Sequence, residues 1–108
     1  MTTLTAVTDA TFADRVLSAK GTTIVEFWAE WCGPCRALSP ILEQLAVEHA
    51  DTLDVVKINA DDNPRTAAEY RAMSIPVIKV FRDGEVVKTI VGAKPKAALE
   101  FELAPFLN

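Results

Sequence analysis

Only two cysteines, one histidine and one tyrosine occur in this chain, and basic residues are outnumbered by acidic ones. Two cysteines form at most one disulfide, which excludes a small scaffold stapled by several bridges. A structural zinc site needs about four ligands. Cys32, Cys35 and His49 offer three at most, and no carboxylate completes a recognisable set, so no metal is expected and His49 is read as an exposed helical residue. Lys+Arg 11 against Asp+Glu 15 gives a net charge of -4, which argues against nucleic acid, whose phosphates call for a basic face. No apolar run approaches the roughly 18 residues of a membrane span. The stretch from Met1 to Thr8 has no positive charge ahead of an apolar segment, so no secretory signal is read there, and the initiator Met1 argues against a processed form. The expectation is a protein of the cytoplasm, a monomer, off the membrane.

What is present is a globular pattern, with 50% hydrophobic and 24% charged residues over 108 positions. That length suits one domain, residues 1–108. Linkers, repeats and low-complexity stretches are missing. Apolar runs alternate with helical stripes. Leu4 to Val7 is a short strand, and Thr8-Asp9 offers an N-cap for a helix with Phe12, Val16 and Leu17 on one face. Thr23 to Trp28 reads as a buried strand. Leu38, Ile41, Leu42, Leu45 and Ala46 mark the inner face of a long helix to about Ala50, with Pro40 expected to kink it. Leu53 to Ile58 is a third strand, and Asn63-Pro64 caps a short helix to about Arg71. Val77 to Phe81 and Val86 to Val91 form a hairpin across Asp83-Gly84. Pro95 opens a last helix with Ala98, Leu99 and Phe101 or Glu102 inward, ended by Pro105. Phe12, Phe27, Phe81, Phe101 and Phe106 are read as core. The order β-α-β-α-β-α-β-β-α predicts an α/β fold with a mixed sheet and helices on both faces.

Cys32-Gly33-Pro34-Cys35 holds both thiols at the start of the long helix, directly after the second strand. Unpaired N–H groups and the helix dipole favour an anion there, and the thiolate is the species that attacks a disulfide. Gly33 permits the tight entry and Pro34 suits the first turn. Cys35 lies inside that turn and is more shielded. On this geometry Cys32 attacks and Cys35 resolves the mixed disulfide.

The run Trp28-Ala29-Glu30-Trp31-Cys32-Gly33-Pro34-Cys35-Arg36 resembles the active site of the thioredoxin family. The resemblance covers nearly the whole chain, through Pro40, Lys57, Asp61, Pro64, Ser74-Ile75-Pro76, Phe81, Gly84 and Val91-Gly92-Ala93. It implies the thioredoxin fold, a central mixed five-stranded sheet flanked by four helices on both faces. It implies a thiol–disulfide oxidoreductase that reduces protein disulfides, binds no cofactor, and takes electrons from NADPH through a flavoprotein partner, thioredoxin reductase. Pro76 is then expected to be cis, with Ile75 offering backbone hydrogen bonds to an extended substrate segment. Trp31, Gly33, Pro34, Ile75, Pro76, Gly92 and Ala93 form the expected docking patch. Trp28, Pro40 and Asp61 support it, Asp61 accepting a hydrogen bond from Trp28.

Glu26 departs from the family pattern, in which aspartate is usual beside a lysine matching Lys57. A carboxylate in mid-strand is costly to bury and tends to hold its proton. Glu26, with Lys57 nearby, is expected to act through water as the base that deprotonates Cys35. The plainer alternative is a Glu26–Lys57 pair that serves stability alone. Disulfide-isomerase domains resemble the chain at Glu26 but carry histidine where Pro34 stands. Val77, Ser74 and Arg36 replace the commoner threonine, glycine and lysine. Two competing functions are a thioredoxin-fold binding subunit of a larger complex and an oxidant or isomerase. The intact cysteine pair argues against the first as a sole role, and Pro34 against the second.

Overall fold

The computed structural model describes residues 4–107, and Met1, Thr2, Thr3 and Asn108 lie outside the described residues, with the start of the stretch read for a signal. The chain runs β1 (Thr5–Val7), a π-helical turn (Ala13–Leu17), β2 (Thr22–Trp28), α1 (Gly33–Glu48), β3 (Leu53–Asn59), α2 (Pro64–Glu69), β4 (Val77–Arg82), β5 (Glu85–Val91), α3 (Lys96–Leu103) and a 3-10 turn (Ala104–Phe106). The five strands form one sheet in the order β1-β3-β2-β4-β5. β3 lies parallel to both β1 and β2, while β4 runs antiparallel to β2 and β5. This is the thioredoxin fold.

β2 is the centre of the sheet, so both its faces are covered and its sequence is almost continuously apolar. Alternate side chains enter two cores. Ile24, Val55, Ile78, Val80 and Ile90 meet Leu38, Leu42 and Leu45 of α1 and Leu99 and Leu103 of α3. Val25, Phe27, Val56, Ile58, Val77 and Phe81 face the other way, against Phe12, Val16 and Ala67. On that side the rings of Phe12, Tyr70 and Phe81 contact one another, with centroids 5.3 to 5.6 Å apart.

Several local expectations are corrected. The first helix is a single wide turn, closed by the Ser18 N–H donating to the Ala13 carbonyl at 2.8 Å. Thr8 does cap the segment before it, accepting from the Thr11 N–H at 3.2 Å. Asp9 is drawn away to α2, accepting from the Thr66 N–H at 2.8 Å and the Arg65 N–H at 3.3 Å. The α2 N-terminus is thus capped from across the fold. Asn63, expected to cap it, instead donates to the Asn59 carbonyl at 3.0 Å and accepts from the Asp9 N–H at 2.8 Å. Phe101 is 83% exposed rather than core. Leu99 and Leu103, one turn apart, form the inner face of α3, and a residue midway between them points outward. Phe106 is only partly buried, against the same core. Pro40 lies inside α1, which continues through it to Glu48.

The β4–β5 connection is a two-residue turn with Asp83 at φ 52° and Gly84 at φ 85°, the backbone of the hairpin turns that favour glycine. A Cβ on Gly84 would stand 2.7 Å from the Leu17 carbonyl oxygen. Strain and clash act together, so Gly84→Ala is expected to lower stability by about 2 kcal/mol or more, read as a lower urea midpoint with an unchanged slope.

Candidate active site

β2 ends at Trp28, and a short link returns the chain into α1, with the Cys32 N–H donating to the Ala29 carbonyl at 3.1 Å. Cys32 is the N-cap of α1 and its Sγ accepts the Cys35 N–H at 3.2 Å. The two cysteines are joined in a disulfide with their Cα atoms 5.4 Å apart. They pack with Ala29 against Trp28 and Ile75. Shielding does not separate them as expected, for Cys32 is 3% exposed and Cys35 2%. What separates them is the helix end, which aims an N–H at the sulfur of Cys32 alone. Cys35 instead lines a cavity of about 400 Å³ with Trp28, Ser39, Glu43 and Lys57. Gly33 does not make the tight entry either. Its backbone is not left-handed and a Cβ there would meet nothing within 4 Å. The extended backbone of Cys32 makes the turn, followed by Pro34.

The Ile75-Pro76 peptide is cis. Pro76 is buried and its carbonyl accepts the Gly92 N–H at 2.9 Å, which ties the loop before β4 to the end of β5. Gly92 holds φ 92° there. Ile75 is half-buried, and its backbone makes no backbone hydrogen bond among the described residues. Trp31 is 68% exposed and lines a hollow with Ile75, Met73 and Asp61. Exposed Ala93 lies over Ala37 and Ile41 of α1. Met73, exposed beside Trp31, was missed by the sequence reading, where no periodic pattern marks the loop that carries it.

Asp61 accepts its hydrogen bond from Trp31, not from Trp28: the Trp31 Nε1 lies 2.8 Å from Asp61 Oδ2. Trp28 points to the other side of the link, where the Lys57 Nζ stands 5.2 Å from its ring centroid. Its buried Nε1 has no partner among the described residues.

Glu26 is fully buried, opposite Lys57 on β3 and Ile78 on β4. The stability pair with Lys57 is not formed, since Glu26 makes no ion pair among the described residues. Its hydrogen-bond partner is Ser39 of α1, whose Oγ lies 3.2 Å from both carboxyl oxygens. Ser39 was not singled out in the sequence. Its one signal is that it follows Cys35 by four, which places both on one face of the helix. Burial pushes the Glu26 pKa up from 4.5 to about 7, against the opposing pull of the Ser39 hydrogen bond and the Lys57 charge, with Glu43 adding a small upward push.

For a metal, His49 is no use to the thiols. It closes the far end of α1, about 24 Å along a 16-residue helix. His49 does gather with Glu48 and Glu100, but Glu48 accepts the Lys96 ammonium at 2.7 Å.

A redox pair at a helix start beside a cis-proline loop defines a domain built for thiol–disulfide exchange. The thioredoxin family model matches residues 3–104. A thioredoxin of Streptomyces clavuligerus is 58% identical over 93 residues, 86% of either chain. A thioredoxin of Mycobacterium bovis is 52% identical over 105 residues, 94% of this chain and 90% of its own. One of Porphyra purpurea is 47% identical over 102 residues, 94% and 95% of the two. The chain belongs to the thioredoxin family, and it is a thiol–disulfide oxidoreductase of protein disulfides.

The raised pKa of Glu26 carries a stability consequence. Between pH 4.5 and about 7 the folded protein holds a proton that the unfolded chain releases. Stability therefore falls as pH rises through that window, by about 3 kcal/mol in all. Denaturant unfolding of Glu26→Gln from pH 4 to 8 is expected to lack this decline and to leave the variant the more stable protein above pH 7.

Proposed function

We propose that Cys32 is the attacking thiolate and Cys35 the resolving thiol in a two-step reduction of protein disulfides. Reduced Cys32 loses its proton and attacks one sulfur of the substrate disulfide, forming a mixed disulfide and releasing the first substrate thiolate. Cys35 then gives up its proton and attacks the Cys32 sulfur, releasing the second substrate thiolate and leaving the Cys32–Cys35 disulfide. The observation that carries this reading is the Cys35 N–H aimed at the Cys32 Sγ from the first turn of α1. A donor at a helix N-terminus stabilises negative charge on that sulfur and not on the other.

Glu26 is the base for the second step, taking the Cys35 proton through water in the cavity that Cys35 and Ser39 line, which it meets at the Ser39 hydroxyl. A carboxyl with a pKa of about 7 exchanges a proton readily near neutral pH. Lys57 supports it at a distance, by its charge. Trp31, Gly33, Pro34, Ile75, Pro76, Gly92 and Ala93 receive the substrate and the reductase, and the backbone of Ile75 pairs with an extended substrate segment. Electrons come from NADPH through a flavoprotein thioredoxin reductase. The protein works as a monomer in the cytoplasm, which light scattering and cell fractionation test.

Reduction of a model protein disulfide by this chain with NADPH and a cognate reductase tests the cycle as a whole. Cys35→Ser should accumulate mixed disulfides through Cys32, seen as adducts on non-reducing gels and released by dithiothreitol; no adducts would sink the assignment of roles. Glu26→Gln should slow resolution at least about tenfold near pH 7 and flatten its pH profile. An unchanged profile would remove Glu26 from the reaction.

A further inference from the structure

A hydroxyl carries one proton, yet the Ser39 Oγ has three acceptors in reach. Both carboxyl oxygens of Glu26 are 3.2 Å away and the Cys35 carbonyl is 3.0 Å away. Ser39 is the only hydrogen-bond partner of the Glu26 carboxyl among the described residues. The remaining groups that face the carboxyl do not replace it. Lys57 on β3 acts by charge from beyond ion-pair range, Glu43 on α1 repels the anion, and Ile78 on β4 is apolar.

The two protonation states of Glu26 need opposite things. The anion needs a donor, and the neutral acid needs an acceptor for its own O–H. A serine hydroxyl meets both needs by rotation. Turned toward Glu26, it donates to the carboxylate. The Cys35 carbonyl then still accepts the Ser39 N–H, four residues on within α1. When Glu26 is protonated, the acid donates to Oγ and the Ser39 O–H turns to the Cys35 carbonyl. In both states the carboxyl and the hydroxyl keep a hydrogen bond to each other.

We propose that Ser39 is a positioning residue, a rotating hydroxyl that keeps Glu26 hydrogen-bonded with and without its proton and joins it to the helix turn carrying Cys35. The inference deepens the proton-transfer role proposed for Glu26, but it concerns the equilibrium of that acid and is testable without turnover. Ser39→Ala removes both bonds, but the charge-assisted bond to the anion is the stronger, so its loss favours the neutral acid, and the helix stays intact because alanine is the best helix former.

The experiment follows the Glu26 carboxyl carbon by 13C NMR against pH in the wild-type protein, Ser39→Ala and Ser39→Thr, with far-ultraviolet circular dichroism to confirm the fold. In Ser39→Ala the midpoint should move upward, so that the ionised-to-neutral ratio of Glu26 at pH 7 falls about tenfold. Ser39→Thr, which restores a hydroxyl, should return the midpoint to near that of the wild type. A midpoint in Ser39→Ala that stays in place or moves down would overturn the proposal, as would a threonine variant that behaves like alanine. The pH profile of mixed-disulfide resolution is measured on the same variants. A midpoint that moves while the profile does not supports the role of Ser39 and overturns that of Glu26 in the reaction.

Discussion

The seating of α1 on the face of the sheet shared by β2, β3 and β4 is the contact on which the site depends. β2 is locked on both edges, parallel to β3 and antiparallel to β4, so its end cannot slide. Leu38, Leu42 and Leu45 bury the inner face of α1 completely, each contributing about 2 kcal/mol of hydrophobic stabilisation. The link of Ala29, Glu30 and Trp31 is too short to let the helix start anywhere else. The cysteines thus inherit their position from ordinary apolar burial.

That seating sets two opposite electrostatic demands close together. At the surface end, the first turn of α1 offers N–H groups and favours a negative sulfur at Cys32. Beneath it, the dry interior disfavours a negative carboxyl at Glu26 and holds its proton to about pH 7. Cys35 lies between the two, inside the helix turn and on the wall of the cavity that reaches Ser39 and Lys57.

The strand and helix pattern of this protein was legible because β2 is apolar throughout and α1 repeats its leucines at helical spacing. The cysteine pair was legible from its spacing at a helix start, the buried glutamate from its place in mid-strand, and the cis proline through the family resemblance alone. What escaped was every feature decided by side chains meeting from distant parts of the chain. Asp9 and Asn63 each look like local helix caps, and instead they exchange partners across 54 residues. The two tryptophans of the link are three apart, and only their placement on opposite sides of it decides which one reaches Asp61. Phe101 looks like core by composition, but its phase on α3 turns it outward. Ser39 looks like an ordinary helical serine until Glu26 is placed beneath it.

The partner taken by the acid at position 26 accounts for much of this arrangement. Glu26 and Lys57 are register partners on adjacent parallel strands, on the same face of the sheet, so a pair between them is the first expectation. The glutamate carboxyl instead meets α1, at the hydroxyl of Ser39. Lys57 is left to lay its ammonium over the Trp28 ring, at a distance where a cation is still attracted to the face of an indole. A fully formed ion pair would have bound the carboxylate as an anion and lowered its pKa. Tied to a neutral hydroxyl instead, the acid keeps its proton near neutrality, and the tie runs to the helix turn that carries Cys35. The acid's principal side-chain connection thus runs to the helix that bears the disulfide and not to the neighbouring strand.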